Sequence, residues 1–264
     1  MNVIGIDISK DKADCFLKTV KKTADLEITN DISGCLKLVS WIRQHRIRKV
    51  VIAMEATGIY YELIANYLSQ YYQVSVINPL KIKDYGKSLF NRTKTDKADA
   101  ALIAEYAFRH HDKLDFYGVP TRNQYRLGRL VTLCQQLNLQ MNQQRNRIHA
   151  SNDDFVKAVH AEILNKLVEQ LELADAEIKA LIQSDAETKR QYQNLLTVSG
   201  IGEKTAPVIL HYLNSKKFSN VSKFTAFAGL VPKIEQSGES VNKKCGLAKL
   251  GHKRLKAAFF HPAL

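Results

Sequence analysis

Residues 2–8 (NVIGIDI), 13–20 (ADCFLKTV) and 24–30 (ADLEITN) are three short β-branched segments separated only by brief polar turns. Connections this short cannot carry a crossover, so the three strands form an antiparallel meander. Residues 31–46 place Ile32, Leu36, Val39 and Ile42 at helical spacing, with Asp31 or Ser33 as N-cap. The run KVVIAM at 49–54 is continuously apolar and reads as a buried strand ending at Glu55. A helix over 59–71, a strand over 73–77 (QVSVI) and a further helix follow. The last starts near Lys94–Asp96 and ends near His110, with Ala98, Leu102, Ile103 and Ala107 on its inner side.

The order β-β-β-α-β-α-β-α specifies an α/β domain over residues 1–120. Its mixed sheet has an antiparallel meander followed by parallel crossovers, the element order of the ribonuclease-H-like fold. From Tyr125 the pattern changes. Leu127, Leu130, Cys134, Leu137, Met141 and Ile148 alternate three- and four-residue steps, and Gln144 fills the one polar gap. This is a heptad seam. A second run carries Ile163, Leu167, Leu171, Ala174, Ile178 and Leu181, after a capped turn at Ser151–Asp154. Residues 121–190 therefore form a helical coiled-coil arm, serving oligomerisation, spacing or packing within the chain. Residues 191–264 are mostly α. There LLTVSGIGEKTAPVIL carries Gly200 and Gly202 between apolar stretches, as in a helix-hairpin-helix that holds DNA phosphates on backbone N–H groups. A plain packing corner explains those glycines nearly as well.

Charge is segregated along the chain. The net formal charge is +13, but residues 151–187 carry −6 and residues 191–264 carry +8, while residues 121–150 hold five arginines and no acid. A basic block of this size favours a polyanionic partner, most often nucleic acid. Cys15, Cys35, Cys134 and Cys245 form no C-x-x-C pair, so neither a zinc finger nor a redox motif is supported. Scattered cysteines without a signal peptide fit a reducing cytosol. No run approaches a membrane span of ~20 apolar residues.

The acids carry the chemistry. Asp7 lies in the first strand, Glu55 ends the strand after the meander, and Asp96 and Asp99 open a helix at i, i+3 spacing on one face. A lone charge in an apolar strand is expensive, whereas a divalent cation neutralises it. Strands one and four are neighbours in this fold, so four carboxylates converge on hard cations such as Mg²⁺. Two such ions activate a hydroxyl nucleophile and stabilise a leaving oxygen in phosphodiester cleavage. Lys94 and Lys97 beside the acids fit a phosphate-bearing substrate.

On these residues the chain resembles the DEDD transposases of the IS one-ten family, which includes the Piv-type invertases that flip pilin gene segments. The likeness covers essentially the whole chain. It rests on GIDISK, AMEATGIYY and NRTKTDKADA, then LLTVSGIG, FTAFAGLVPKIEQSG and GLAKLGHKRLK. It implies a RuvC-like nuclease domain, a coiled-coil insertion and a C-terminal transposase domain. The site would be Asp7, Glu55, Asp96 and Asp99 with two Mg²⁺ (or Mn²⁺) ions. The resemblance also implies a serine nucleophile after GLVP, here Ser237, with Ser240 as the fallback. Without it, Ser-Gly in EQSGES reads as a hairpin turn. It further implies double-stranded DNA as substrate, dimers pairing into tetramers, a structured guide RNA in many members, and a prokaryotic, nucleoid-associated setting in the cytoplasm. Phosphate contacts are then expected from Arg145, Arg147, Gly200, Gly202, Lys204, Lys243, Lys244, Lys253 and Arg254 as well as the two lysines beside the acids. Two features depart from the pattern. Lys256 replaces an Arg in the last basic helix, and relatives commonly continue past this point, so a truncated C-terminus is expected.

Three other functions compete. A junction-resolving or structure-specific nuclease would need the four acids alone. A truncated, non-catalytic nucleic-acid-binding protein would need neither acids nor serine. A sugar-kinase or actin-like ATPase would share the early GID hairpin, but Ile8-Ser9-Lys10 lacks the glycine its phosphate loop wants.

Overall fold

The computed structural model describes residues 1–89, 95–216, 218–232, 246 and 251–260, and the backbone of 235–237 and 241–243. The chain forms two compact units, Met1–Val119 and Pro120–Leu264.

The first unit is built on one five-stranded sheet, from β1 (Val3–Ile8), β2 (Lys12–Lys18), β3 (Thr23–Thr29), β4 (Val51–Glu55) and β5 (Gln73–Ile77). Their order is β3-β2-β1-β4-β5. The β1–β2 and β2–β3 pairs are antiparallel, and β1–β4 and β4–β5 are parallel. This is the strand order of a ribonuclease-H-like sheet, and it follows from the short meander turns and the helical crossovers.

Strand alternation sorts the two faces. Ile4, Ile6 and Ile8 meet Cys35, Leu38 and Ile42 of α1 (Ile32–Gln44) and Ile64 and Leu68 of α2 (Tyr61–Leu68) in one core. Asp31 caps α1, accepting from Gly34 N at 2.7 Å. On the other face Val3, Ala53 and Ile77 meet Ile103, Ala104 and Ala107 of α4 (Asp96–Arg109). Gly5 makes that contact possible: a Cβ there would lie 2.2 Å from Ala100 O and 2.4 Å from Ala104 N. Only glycine lets α4 lie this close on β1. Between β5 and α4 runs α3 (Pro79–Ser88), which the sequence pattern above omits. Its signal was local: Asn78 Oδ1 accepts from Leu80 N at 2.9 Å and Pro79 occupies the first turn.

Among the described residues the second unit is helical apart from one hairpin. α5 (Arg122–Ala150) and α6 (Asp154–Gln183) pack as a long antiparallel pair. Leu127, Leu137 and Met141 of the heptad seam are buried. Gln144, its polar gap, is buried too, and its Oε1 lies 2.8 Å from His160 Nδ1 across the pair. At the base α7 (Ala186–Leu196), α8 (Ala206–Asn214), α9 (Val221–Ala228) and α10 (Lys253–Ala258) share a core with Val131, Ile178 and Ile182. β6 (Glu235–Ser237) and β7 (Val241–Lys243) form an antiparallel hairpin.

Candidate active site

The sheet register decides which acids meet. Asp7 of β1 stands opposite Asp14 of β2, and Asp14 opposite Glu27 of β3. On the other side Ile6 pairs with Met54, so Glu55 follows beside Asp7. Asp7 shares the strand face of Gly5, and Glu55 that of Ala53, so a row of carboxylates crosses the sheet on the face that α4 covers. Asp96 and Asp99 occupy the first turn of α4, where the helix dipole favours negative charge. Thr95 caps that turn, accepting from Ala98 N at 3.2 Å.

The electrostatics register this convergence. The Asp7 carboxyl is pushed up to about 6, first by burial, then by repulsion from Asp99, Asp96 and Glu55. Glu55 is also raised, by burial and then by Asp99. Uncompensated negative charge of this kind is what a divalent cation neutralises, and carboxylate oxygens are the donors that hard cations prefer. The donor set therefore fits Mg²⁺ or Mn²⁺. Among the described residues, no group of three His, Cys, Asp or Glu side chains is gathered closely enough to hold an ion as placed. Asp96 is instead 3.1 Å from Lys12 Nζ, which also reaches Glu27 at 3.2 Å and Asp14 at 3.4 Å. Joining a metal site would require Asp96 to leave that lysine.

Asp14, Lys12 and Asn30 escaped the sequence pattern. Asp14 is buried beside Asp7. The tight β1–β2 turn, with Ile8 opposite Ala13, fixes that register and could have revealed it by counting back from the turn. Asn30 joins the loops that follow the two strand acids. Its Nδ2 donates to Ser9 O at 3.0 Å, Lys10 O at 3.4 Å and Tyr60 O at 3.1 Å, and its backbone N–H donates to Asp11 O at 3.0 Å. No local pattern announces such a contact.

The other candidate residues are dispersed. Lys97 is exposed and paired with Asp25 at 2.9 Å. Lys94, Lys244 and Ser240 lie outside the described residues. Arg145 and Arg147 are exposed near the end of α5, and Arg145 Nη1 donates to Asn142 Oδ1 at 3.0 Å. Gly200 has φ +82°, a conformation that requires glycine in the turn between α7 and α8. The Gly202 N–H is taken within that turn by Thr205 Oγ1 at 3.0 Å, so as placed it is not offered to a phosphate. Lys204 and Lys253 are exposed, whereas Arg254 is half-buried and donates to Thr132 Oγ1 at 3.0 Å. Ser237 ends β6, paired with Val241, and Lys243 ends β7. Ser237 belongs to the second unit and the acids to the first.

Known proteins agree with these motifs. Residues 4–155 match the transposase family DEDD_Tnp_IS110. Residues 192–264 match the family described as Transposase IS116/IS110/IS902. The pilin gene-inverting proteins of Moraxella lacunata and Moraxella bovis are each 32% identical over 265 residues, spanning 99% of this chain and 81% of the relative. Among solved structures, RuvC of T. thermophilus in complex with Holliday junction substrate covers 44% of this chain and 99% of its own at 13% identity, with TM-score 0.33. A second Thermus thermophilus RuvC structure gives 12% and 0.32. Scores this low carry no conclusion, and the fold rests on the strand order. With its family matches and its near-complete alignment to two DNA-inverting relatives, the chain belongs to the IS116/IS110/IS902 family of transposases and Piv-type invertases, whose activity is DNA recombination.

Proposed function

We propose that the chain breaks and rejoins DNA at a divalent-metal site formed by Asp7, Glu55, Asp96 and Asp99, with Ser237 as nucleophile. The carrying observation is that the register of β1 and β4 and the first turn of α4 bring these four acids within electrostatic reach, enough to lift Asp7 to about 6. Two Mg²⁺ or Mn²⁺ ions would supply the neutralisation of charge that phosphodiester transfer demands. The chain's own part is the nucleophile. Ser237 Oγ gives up its proton and attacks phosphorus, the bond from phosphorus to one deoxyribose oxygen breaks, and that oxygen leaves as a hydroxyl after taking up a proton. The phosphoserine link keeps the bond energy, so a hydroxyl from another strand reverses the step and rejoins the DNA. Serine and acids sit in separate units, and a site shared between protomers is the arrangement this reading favours. The α5–α6 arm would serve as a coiled coil pairing protomers into dimers and tetramers. A guide RNA, read by shape and phosphates, belongs to the same proposal. The DNA-inverting relatives favour inversion of a segment over dispersed insertion.

The test is a covalent trap. Labelled DNA incubated with the protein and Mg²⁺ gives an SDS-resistant adduct, which Ser237→Ala abolishes and Ser240→Ala leaves intact. Asp7→Asn, Glu55→Gln and Asp99→Asn each lower adduct formation by about a thousandfold or more. An adduct that survives Ser237→Ala removes the serine assignment. Free ends with no adduct point instead to hydrolysis by the acids alone. Sequencing any discrete RNA that co-purifies tests the guide.

A further inference from the structure

A cleft of about 410 Å³ opens within the helical unit, walled by α5 and α6 and by α8 and α10. The four acids belong to the other unit. Its size suits one small planar ligand. The apolar lining includes Val131, Ile178, Ile182 and Val208.

One polar group in this lining is an acceptor held only by a weak donor. Asp175 is half-buried, and its Oδ1 accepts a bond from Cys134 Sγ at 3.6 Å. A thiol is a weak donor that a better one displaces readily. Cations also line the cleft: Lys204 is exposed, Arg254 is half-buried, and Lys179 is paired with Glu203 at 2.7 Å.

We propose that this cleft binds one guanine nucleotide of a single-stranded segment of RNA or DNA, an inference that rests on reading the chain as a nucleic-acid enzyme. A carboxylate is an acceptor only, so this wall selects bases that present donors side by side. Guanine presents N1–H and the exocyclic amine together, matching the two oxygens of Asp175. Adenine and cytosine each set a ring-nitrogen acceptor next to their amine, which the carboxylate repels. Uracil sets its single N–H between two carbonyls. The aliphatic walls take the faces of the base and the cations take its phosphate, the usual division of labour in a pocket for an extruded base.

The experiment is equilibrium dialysis of the full chain against GMP, dGMP, AMP, CMP and UMP at one salt concentration. GMP or dGMP should bind at least about tenfold more tightly than the others, and the ratio of those two identifies the sugar read. Asp175→Asn, which turns half of the carboxylate into a donor, should erase the preference. Cys134→Ala, which removes the competing thiol, should tighten GMP about two- to threefold, and it serves if the first variant fails to fold. Equal binding of all bases, no binding at millimolar nucleotide, a preference that survives Asp175→Asn, or GMP affinity unmoved by Cys134→Ala each overturns the proposal. Salt-dependent binding to duplex DNA is followed on the same samples. If duplex binding persists while guanine preference is absent, only the cleft assignment falls.

Discussion

The sheet unit gathers acids whose carboxyls are raised, whereas the helical unit holds two histidines whose imidazoles are lowered. Asp7 sits among Glu55, Asp96 and Asp99 with its carboxyl raised to about 6. His211 sits against Gly128, where an added Cβ would come within 2.5 Å of the ring, and burial lowers the imidazole to about 4. His252 is lowered too, by burial and then by Lys216 and Arg254, and it packs on Phe227 at 4.3 Å and Tyr212 at 4.9 Å. The helical arrangement is self-sufficient at neutral pH. The sheet arrangement is not: ionised Asp7 is poorly compensated by the chain itself, as expected of a site arranged for an external cation.

The hardest blow to this division is Gly5→Ala. The new Cβ would lie 2.2 Å from Ala100 O, and both clashing partners are backbone, so α4 must move off β1. A loss of about 3 kcal/mol follows. Hydrogen exchange should show α4 and β1 deprotected while α5 and α6 keep their protection. Equal loss in both units would mean that they do not hold their structure separately.

Much of the first unit was legible because its signals are local. Short turns set the meander, and alternation set the faces. The spacing of Asp96 and Asp99 set their common side. What was not legible depends on register or on contacts far along the chain. Asp14 faces Asp7 only through the β1–β2 pairing, and Asn30 reaches Tyr60 across the ends of two strands. Lys12 Nζ reaches Asp96 from the opposite end of the unit's sequence. In the second unit the seam of α5 could be read from its heptads, and Gln144 filled its polar position as a buried partner of His160. Ser237 carries no such signal, since a short hairpin looks alike whether or not it works, and its candidacy came from the family resemblance alone.

A smaller effect separates the units by pH. Folded Asp7 binds a proton that the unfolded chain, with an ordinary value of 3.8, has already released between about pH 4 and 6. Its contribution to stability therefore falls as pH rises through that window. His211 has the opposite sign. The unfolded imidazole takes up a proton below 6.5 while the folded one stays neutral down to about 4, so stability falls as pH drops. In metal-free protein Asp7→Asn should raise stability at pH 7 by about 1–2 kcal/mol, after allowance for solvent screening. His211→Gln should reduce the acid sensitivity of the second unit between pH 7 and pH 5 by about 2 kcal/mol. Denaturant titrations at pH 7 and pH 5 measure both. Slopes of the same sign in the two variants would dissolve the contrast.

The finest discrimination comes from two helix caps of the same geometry, each holding the third N–H of its helix. Thr95 accepts from Ala98 N at 3.2 Å at the start of α4, and Asp153 accepts from Val156 N at 3.0 Å at the start of α6. Replacing either with alanine costs about 1 kcal/mol, because one orphan N–H of the first turn loses its partner. The stability losses should therefore be alike. Their consequences should differ, because the first turn of α4 carries Asp96 and Asp99 while that of α6 carries no proposed metal ligand. Thr95→Ala should weaken Mn²⁺ binding, read by the increase in thermal stability with added metal, and Asp153→Ala should leave that increase unchanged. If both variants respond to Mn²⁺ as the parent does, the first turn of α4 does not hold the ion, and the site must be drawn from Asp7 and Glu55 with the neighbouring Asp14.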